Sequence, residues 1–448
     1  MALDCLDCYL AYLFPVIPLL DGSIMRASAV VLDRLDALND REENRQATVA
    51  ADMQRPCIRP VDLACFSLLT AMCAEVYYML PEQCTPPDHE AALDFLRASR
   101  RMLALQRDID LEAPSSMSVI TRYFHANCLH AAGQTRLSWI LLGEAIRLVQ
   151  DMRMYNEASL DGLNSFEASA RRRVFWQLYT GDKSAALLNN RPFTLDIFAL
   201  GIDPSTAPPS FDQHQPLLQL KGTNLGSDVE TRLITGFNLC QKLFGLAAEL
   251  LLELQIARRY YFHSTNIEWT DVPHQQKLRM TDLYLQFNLT LDNAPAVLKT
   301  VGAIPDPTNK DPSVNVEPRM YQIQAVNLLV TYHCLHLILV ERFAQAGAQS
   351  VLGLSQEGFL LDLKRSEIAR GLVVTIQQAT FDALRINGEP CAEKIRQVGT
   401  ALLEISQQQE NTSLATRARR DFDVLLDILT RLDSRACEGF FEMQGIGT

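Results

Sequence analysis

The chain has 448 residues, of which 48% are hydrophobic and 21% are charged, with 20 glycines and 20 prolines. This composition excludes a mostly disordered chain and predicts a globular protein with a sizeable core. The formal net charge of -12 excludes a chain-wide affinity for nucleic acid, because such binding needs lysines and arginines to neutralise phosphates.

The first twenty residues contain an apolar run, Tyr9 to Leu20, that is interrupted by Pro15 and Pro18. The run is too short to span a bilayer, and Asp4 and Asp7 precede it where a signal peptide carries positive charge. It therefore predicts a piece of folded core and no membrane partner. The 11 cysteines of the chain are scattered among apolar neighbours, which predicts reduced thiols of an intracellular protein.

Apolar residues recur at helical spacing along most of the chain, and the alternating patterns of strands are scarce. We therefore predict an all-α fold, a large irregular multi-helix domain with long proline-rich surface loops. The predicted helices lie at about 24–46, 60–80, 88–106, 116–131, 134–152, 167–189, 228–258, 274–300, 317–346, 358–386, 391–407 and 414–435. Within the fifth of these, Trp139, Leu142, Ile146 and Val149 share one face.

Two proline-rich segments, 203–227 and 301–318, are typical of surface loops. They separate three blocks, 8–200, 228–300 and 317–385, and a C-terminal helical segment follows at 386–448. The pattern fits one helical domain with two long insertions as well as it fits separate domains.

The segment from Glu167 to Phe193, here called the signature segment, reads EASARRRVFWQLYTGDKSAALLNNRPF. Three arginines begin its helix, and Asp182 falls near the apolar stripe of that helix, where a carboxylate needs a partner. Arg172, Arg173 and Arg191 are the nearest candidate partners for Asp182, and Glu167 can pair with Arg171. Two interpretations stay open: ion pairs that lock helices together, or a direct contact with an effector or partner.

The signature segment resembles the fungal-specific transcription factor domain, the regulatory region of fungal zinc binuclear cluster regulators. Residues 8–385 follow the order of this domain: CYLAYLFPVIPLL near the start is similar to its opening, Trp139 and Gly143 lie in a similar helix, and LLVTYHCLHLILVERF resembles its tyrosine-histidine helix. The residues that carry the resemblance are Arg171, Arg172, Arg173, Trp176, Tyr179, Asp182, Arg191, Pro192, Tyr332, His333 and Arg342.

Three positions depart from the family pattern. Asn190 stands where the family usually has glycine, Lys183 where an arginine usually follows the aspartate, and Phe343 where a proline usually follows the arginine. These departures leave the expected fold intact and put any effector chemistry carried over from the family in doubt.

The resemblance implies a non-catalytic regulator of RNA polymerase II transcription of a metabolic or secondary-metabolite pathway, located in the nucleus or otherwise in the cytoplasm. Family members carry zinc in a separate N-terminal cluster of six cysteines, whereas Cys5 and Cys8 form one pair flanked by Asp4 and Asp7. We therefore expect no cofactor in this chain. DNA would be reached through a missing module or a partner protein, with a homodimer or heterodimer, a coactivator or an effector small molecule as further partners.

Other interpretations remain at this point. His125 with Cys128, and His333 with His336, have the spacing of metal ligands on a helix, although packed histidines explain them as well. The acidic and hydrophobic C-terminal stretch containing Phe422, Leu425, Leu429 and Leu432 fits a packed last helix or an activation segment. The alternative function is a helical enzyme or a ligand-binding protein of secondary metabolism, although no DDxxD-type, Walker A, G-x-S-x-G or H-E-x-x-H motif occurs.

Overall fold

The periodic apolar segments of the sequence fold into α-helices in the computed structural model, which confirms the predicted all-α class. Within the residues that the structure describes, no strand occurs. Those residues are 1–29, 59–80, 89–196, 217–220, 225, 227–261, 269, 272–302, 315–355, 357–408 and 412–444.

The helices of the described residues are numbered here in chain order. They are α1 Ala2–Cys8, α2 Pro60–Met79, α3 His89–Leu105, α4 Arg107–Glu112, α5 Ser116–Ala131, α6 Thr135–Asp151, α7 Ser165–Asn189, α8 Ser227–Tyr261, α9 His274–Asn288, α10 Ala296–Lys299, α11 Val316–Gln345, α12 Gly358–Gln378, α13 Phe381–Ile386, α14 Gly388–Gln408 and α15 Ser413–Gln444. Residues 22–29 are also helical, and a short π-helical turn, Tyr9–Leu13, continues α1.

The chain divides into two compact units. Unit 1 comprises Met1–Leu178 with Leu195–Glu230, and unit 2 comprises Tyr179–Thr194 with Thr231–Thr448. Whether residues 8–385 form one regulatory domain stays a prediction.

The core of unit 1 is organised around α2, which packs against α1, α3 and α5. Almost all side chains from Ser67 to Tyr77 are buried, because a helix that is apolar on every side has no face to offer to water. Helix α5 also packs on α6, where Ile146 and Val149 are buried while Arg136 and Arg147 point to solvent, as the predicted face requires.

The core of unit 2 is organised around α11, which packs against α12, α13 and α14, and α15 packs on α14 and α12. Helices α2 and α11 are long and apolar enough to cross a membrane. However, 67% and 78% of the most apolar 18-residue stretch of each helix is buried inside the protein, as in the core helices of globular proteins.

The last helix, α15, buries Leu425 fully and Phe422, Leu429 and Leu432 in part. Its buried Asp421 accepts a hydrogen bond of 2.6 Å from Arg370 of α12. These contacts support the packed-helix interpretation of this stretch.

Several predicted boundaries are wrong. The helix predicted at 274–300 ends at Asn288 and resumes as α10 after Pro295, and the one predicted at 358–386 is interrupted at Thr380, whose hydroxyl caps α13. The proline-rich loop predicted at 301–318 ends earlier, because α11 begins at Val316 and tolerates Pro318 in its first turn.

The predicted helix at 24–46 and the predicted loops at 203–227 and 301–318 lie partly outside the described residues. Within the first loop, Leu217 and Leu218 are buried and do not form an exposed segment.

Candidate functional site

The N-terminal part of α7 carries the three arginines of the signature segment. Asn164 precedes the helix, and its Oδ1 accepts a hydrogen bond of 2.8 Å from the backbone N–H of Glu167. An asparagine at this position satisfies a donor that the helix itself leaves unpaired, so it fixes where the helix begins.

The first two arginines form ion pairs. Arg171 Nε lies 2.7 Å from Glu167 Oε1 one turn earlier, as the four-residue spacing predicts. Arg172 donates to Glu157 Oε2 through Nε at 3.0 Å and through Nη2 at 2.7 Å, so two guanidinium nitrogens bind the carboxylate. The Arg172–Glu157 pair joins α7 to the turn that precedes it, whereas the Arg171–Glu167 pair lies within α7.

Arg173 is buried in unit 1, with 2% of its surface exposed. Its Nη1 donates to Ser169 Oγ at 2.6 Å, and its Nη2 donates to the Leu19 carbonyl at 3.4 Å. Burial lowers the pKa of Arg173 to about 10, while the charges of Asp21, Tyr9 and Glu230 oppose that change. The guanidinium therefore stays cationic at neutral pH.

Beside Arg173 lies a cavity of about 420 Å³ within unit 1. Its wall is formed by residues 19–28, by α2, by the first turns of α5 and α7, and by Leu217. The apolar part of the wall consists mainly of Leu19, Leu20, Met25, Leu68, Ile120 and Leu217, all of which are buried. Both the volume and the apolar lining are typical of small-molecule sites.

The polar groups of this wall are Asp21, Glu167, Arg173 and several hydroxyls. Glu167 is fully engaged, because its carboxylate accepts from Ser116 N–H at 2.9 Å and from Ser116 Oγ at 2.6 Å in addition to Arg171. This carboxylate thereby joins the start of α5 to the start of α7, and the two helix N-termini meet at the cavity.

Asp21 caps the helical residues 22–29 through its Oδ1, which accepts from Ser23 N–H, Ser23 Oγ and Ile24 N–H at 2.8, 2.6 and 3.1 Å. Its Oδ2 is buried and has no hydrogen-bond partner among the described residues. Asp21 was not predicted from the sequence as a site residue. The pattern Asp-Gly-Ser before an apolar run is a helix-start signal that points to the cap, although not to the cavity.

The C-terminal part of α7 belongs to unit 2 and contains Asp182, which is fully buried. Its carboxylate lies 3.1 Å from Lys183 Nζ and accepts from the backbone N–H of Thr194 at 3.0 and 3.2 Å. The candidates Arg172 and Arg173 donate elsewhere, as described above. Lys183, at the position where the family usually has arginine, supplies the positive charge.

Lys183 is also surrounded by aromatic rings. Its Nζ lies 4.8 Å from the ring centroid of Tyr179 and 4.8 Å from that of Phe193, which are cation–π distances. Tyr179 is buried, and its hydroxyl lies against Gly245 of α8, where a side chain would crowd it. These contacts give Asp182 and Tyr179 a packing role within unit 2.

The remaining signature residues lie at the surface or at its edge. Trp176 is half-buried, with its ring 5.1 Å from that of Phe175 in an edge-on arrangement. Asn190 ends α7 with a left-handed φ of 54°, and the N–H of Arg191 donates to the Ala185 carbonyl at 3.2 Å. Asparagine tolerates this conformation better than most residues, which explains why it can replace the family's glycine. Arg191 and Pro192 are exposed.

The tyrosine-histidine helix, α11, forms an aromatic cluster with α9 in unit 2. The ring of Tyr332 stacks on Phe287 at 5.4 Å, and His336 Nε2 lies 2.9 Å from the hydroxyl of Tyr284. Burial lowers the pKa of His333 to about 4 and that of His336 to about 3, so both imidazoles are neutral at pH 7. Arg342 is exposed in the last turn of α11.

The other histidine-cysteine pair lies in α5. His125 Nε2 is 2.7 Å from Ser99 Oγ, and Cys128 Sγ donates to Glu75 Oε2 at 3.5 Å. These are the contacts of packed side chains. Throughout the part of the chain that the structure describes, no group of three or more histidines, cysteines, aspartates or glutamates is placed to hold a metal ion.

Comparison with known proteins identifies the class to which this geometry belongs. Residues 76–203 match the model of the fungal-specific transcription factor domain. This range includes α7 with its arginines, Asp182, Arg191 and Pro192. Over these residues the chain is similar to the fungal-specific transcription factor domain, so the predicted resemblance is confirmed there.

Curated relatives are fungal transcription factors. The citrinin biosynthesis transcriptional activators of Monascus ruber and Monascus purpureus are each 27% identical over 169 residues, which is 36% of this chain and 32% and 28% of theirs. The aurofusarin cluster transcription factor of Gibberella zeae is 46% identical over 50 residues, which is 11% of this chain and 8% of that protein. The matched region thus spans about a third or less of the relatives' length. No solved structure matches.

Proposed function

We propose that this chain is the regulatory body of a fungal zinc-cluster-type transcriptional regulator that controls RNA polymerase II transcription of a metabolic or secondary-metabolite pathway. The observation that carries the proposal is the match of residues 76–203 to the fungal-specific transcription factor domain, together with relatives named as citrinin biosynthesis transcriptional activators and as an aurofusarin cluster transcription factor. These findings favour a regulator over a helical enzyme.

The chain acts without catalysis in this proposal. Each arginine of the α7 cluster has hydrogen-bond partners in the protein: Arg171 binds Glu167, Arg172 binds Glu157, and Arg173 binds Ser169 and the Leu19 carbonyl. Ion pairs of this kind fix the geometry of a scaffold.

DNA is reached through a linked zinc cluster or a partner protein, because the chain as a whole carries a net charge of -12. Cys5 is buried and Cys8 is half-buried within α1, so this pair packs with the protein core. Three arrangements fit: a DNA-binding module encoded upstream, a cofactor-like chain that acts through a full-length partner, or a regulator that sequesters coactivators. The site of action is the nucleus, and the chain forms homodimers or heterodimers there.

The test is chromatin immunoprecipitation of an epitope-tagged chain expressed from its own promoter in its fungal host. We expect enrichment at a limited set of promoters whose transcripts change when the gene is deleted. A chain that is well expressed but shows no promoter enrichment and no transcript change on deletion would contradict the proposal. Enrichment that disappears when one zinc-cluster protein is deleted would identify the partner arrangement.

A further inference from the structure

The cavity of unit 1 has the features of a ligand site that the ion pairs of α7 do not explain. It holds about 420 Å³, and its wall is mainly apolar. Such a space takes a molecule of a few fused rings or an equivalent aliphatic body, since a lining of leucine, isoleucine and methionine gains from contact with apolar surface.

The charges around the cavity are balanced. Glu167 is neutralised by Arg171, and the cationic Arg173 lies in the same wall as the anionic Asp21. A ligand with a net charge would lose its hydration without gaining an uncompensated opposite charge. The wall therefore favours a neutral molecule.

One polar atom of the wall defines the orientation of that molecule. Asp21 is more than nine-tenths buried, its Oδ1 is occupied by three donors, and its Oδ2 has no hydrogen-bond partner among the described residues. Buried polar atoms almost always have a hydrogen-bond partner, so we expect this oxygen to accept a hydrogen bond from a bound molecule. Because a carboxylate accepts hydrogen bonds, the matching group on the ligand is a donor, and a hydroxyl is a neutral group of this kind.

We propose that this cavity binds a neutral, mostly apolar small molecule that donates a hydroxyl hydrogen bond to Asp21. The bound molecule contacts residues 19–25, α2, and the first turns of α5 and α7. It thereby lies against the helix that carries the family's arginines. This assignment names the site and the chemical class of an effector for the proposed regulator, and it rests on that function for its regulatory meaning.

The experiment measures binding of two probes to the purified full chain by isothermal titration calorimetry. The probes are 2-naphthol and 2-methoxynaphthalene, which share a ring system and differ in the hydrogen-bond donor. We expect one molecule of 2-naphthol to bind per chain, about tenfold or more tightly than 2-methoxynaphthalene, because a hydrogen bond to a charged acceptor has this magnitude.

Two variants of the cavity locate the site. Asp21→Asn keeps an oxygen to cap residues 22–29 but places an amide donor at the other position, so the preference for 2-naphthol should disappear. Ile120→Trp fills the cavity and should abolish binding of both probes, while the matched control Ile140→Trp, on the exposed face of α6, should bind as the unaltered chain does. If Ile120→Trp fails to fold, the half-buried Met117 provides a second blocking variant, Met117→Trp.

Equal binding of the two probes, no binding of either, or full binding by the blocking variants would overturn the proposal. The assay contains no DNA and no partner. A negative calorimetry result therefore does not contradict the proposed regulatory function. A negative chromatin immunoprecipitation result likewise does not contradict the proposed binding site.

Discussion

At the scale of single residues, the buried carboxyl of Glu75 contributes most directly to pH sensitivity. It is completely buried in α2, where Asn127 Nδ2 donates to Oε1 at 3.1 Å and Cys128 donates to Oε2. Burial raises the pKa of Glu75 from 4.5 to about 7, and the two hydrogen bonds oppose this change only in part. A raised pKa in the folded state means that folding favours the protonated acid.

We therefore predict that Glu75 destabilises the protein as the pH rises from about 4.5 to 7. The protonated form of Glu75 is the one that folding favours. This stabilisation is fully present below the unfolded-state pKa of 4.5 and is lost as the pH rises through the folded-state pKa, which lowers the free energy of unfolding by about 3 kcal/mol. Glu75→Gln should remove this part of the pH dependence. Urea unfolding of both proteins between pH 4.5 and 7.5 measures the difference.

The exposed acid Glu112 provides the control for this measurement. Glu112→Gln should leave the pH dependence of the unaltered chain unchanged, because its side chain is in water in the folded and unfolded states. If Glu75→Gln shows the same slope of stability against pH as Glu112→Gln, the burial of Glu75 has no energetic consequence and the interpretation is wrong.

Some single residues could be predicted from the sequence and others could not. The Arg171–Glu167 pair follows from a four-residue spacing on one helix. Asp182 was correctly expected to need a partner, but the neighbouring Lys183 was not among the candidates, and the backbone N–H of Thr194 reaches Asp182 only because of how the chain turns after α7. The approach of Asp21 to Arg173 joins positions about 150 residues apart in the chain, a distance over which no spacing rule operates.

At the scale of helices, Arg365 of α12 joins three helices of unit 2. Its guanidinium binds Glu341 of α11 at 2.8 Å, Glu404 of α14 at 2.7 Å and Asp362 of its own helix at 3.2 Å. Burial raises the pKa of Glu341, while the hydrogen bonds from Arg365 lower it. Removing the arginine would leave partly buried carboxylates without their cation.

We predict that Arg365→Met destabilises the chain by about 3–5 kcal/mol, the usual effect of leaving a buried ion-pair partner alone. The control is Arg419→Met, since Arg419 and Asp423 form a largely exposed pair at 3.4 Å that should contribute less than about 1 kcal/mol. Chemical unfolding at pH 7 measures both. The loss of unfolding free energy in Arg365→Met should be smaller at lower pH, because Glu341 becomes neutral there. Equal losses of unfolding free energy in Arg365→Met and Arg419→Met would contradict this account.

A second contact between helices depends on a glycine. A Cβ atom added to Gly371 of α12 would overlap the imidazole of His333 on α11, so the two helices approach closely at this point. A glycine inside a helix costs stability relative to alanine, and close packing is a physical reason to keep it.

Gly371→Ala should destabilise the chain by about 1–3 kcal/mol, because the imidazole or the helix must shift to make room. Gly143→Ala in α6 is the matched control: its Cβ would meet open space, and the substitution should raise stability by up to about 1 kcal/mol. Thermal unfolding of both variants gives the comparison. A Gly371→Ala protein as stable as Gly143→Ala would show that the contact with His333 is not tight.

The helices were largely predictable because their apolar periodicity is local. The α2, α5, α6, α7 and α11 helices lie within two residues of their predicted bounds. The interruptions at Asn288 and Thr380 were missed because the apolar pattern continues across them. Helix α1 was also missed: the run from Tyr9 to Leu20 was identified as folded core, but no helix was predicted before it.

At the scale of the whole molecule, the sequence indicated an all-α fold, which the structure confirms, and a family resemblance, which the match over residues 76–203 confirms for that range. The cavity of unit 1 could not be predicted, because its wall combines residues from five separate segments. The same holds for the division into two compact units, since two of its three bounds fall inside α7 and α8 at no visible break in the apolar pattern. The order of motifs along the chain indicates a family resemblance. The cavity of unit 1 depends instead on packing between segments that are distant in sequence.

Two of the three arrangements hold the chain at DNA, through its own linked module or through a partner, and we propose that the chain regulates transcription from there. The most direct test fuses the full chain to a heterologous DNA-binding domain and measures reporter transcript in fungal cells, beside the same chain expressed without the fusion. We predict that the tethered chain changes the transcript level relative to the DNA-binding domain alone, while the untethered chain leaves it unchanged. A tethered chain that is expressed, nuclear and without effect on the transcript would contradict the account.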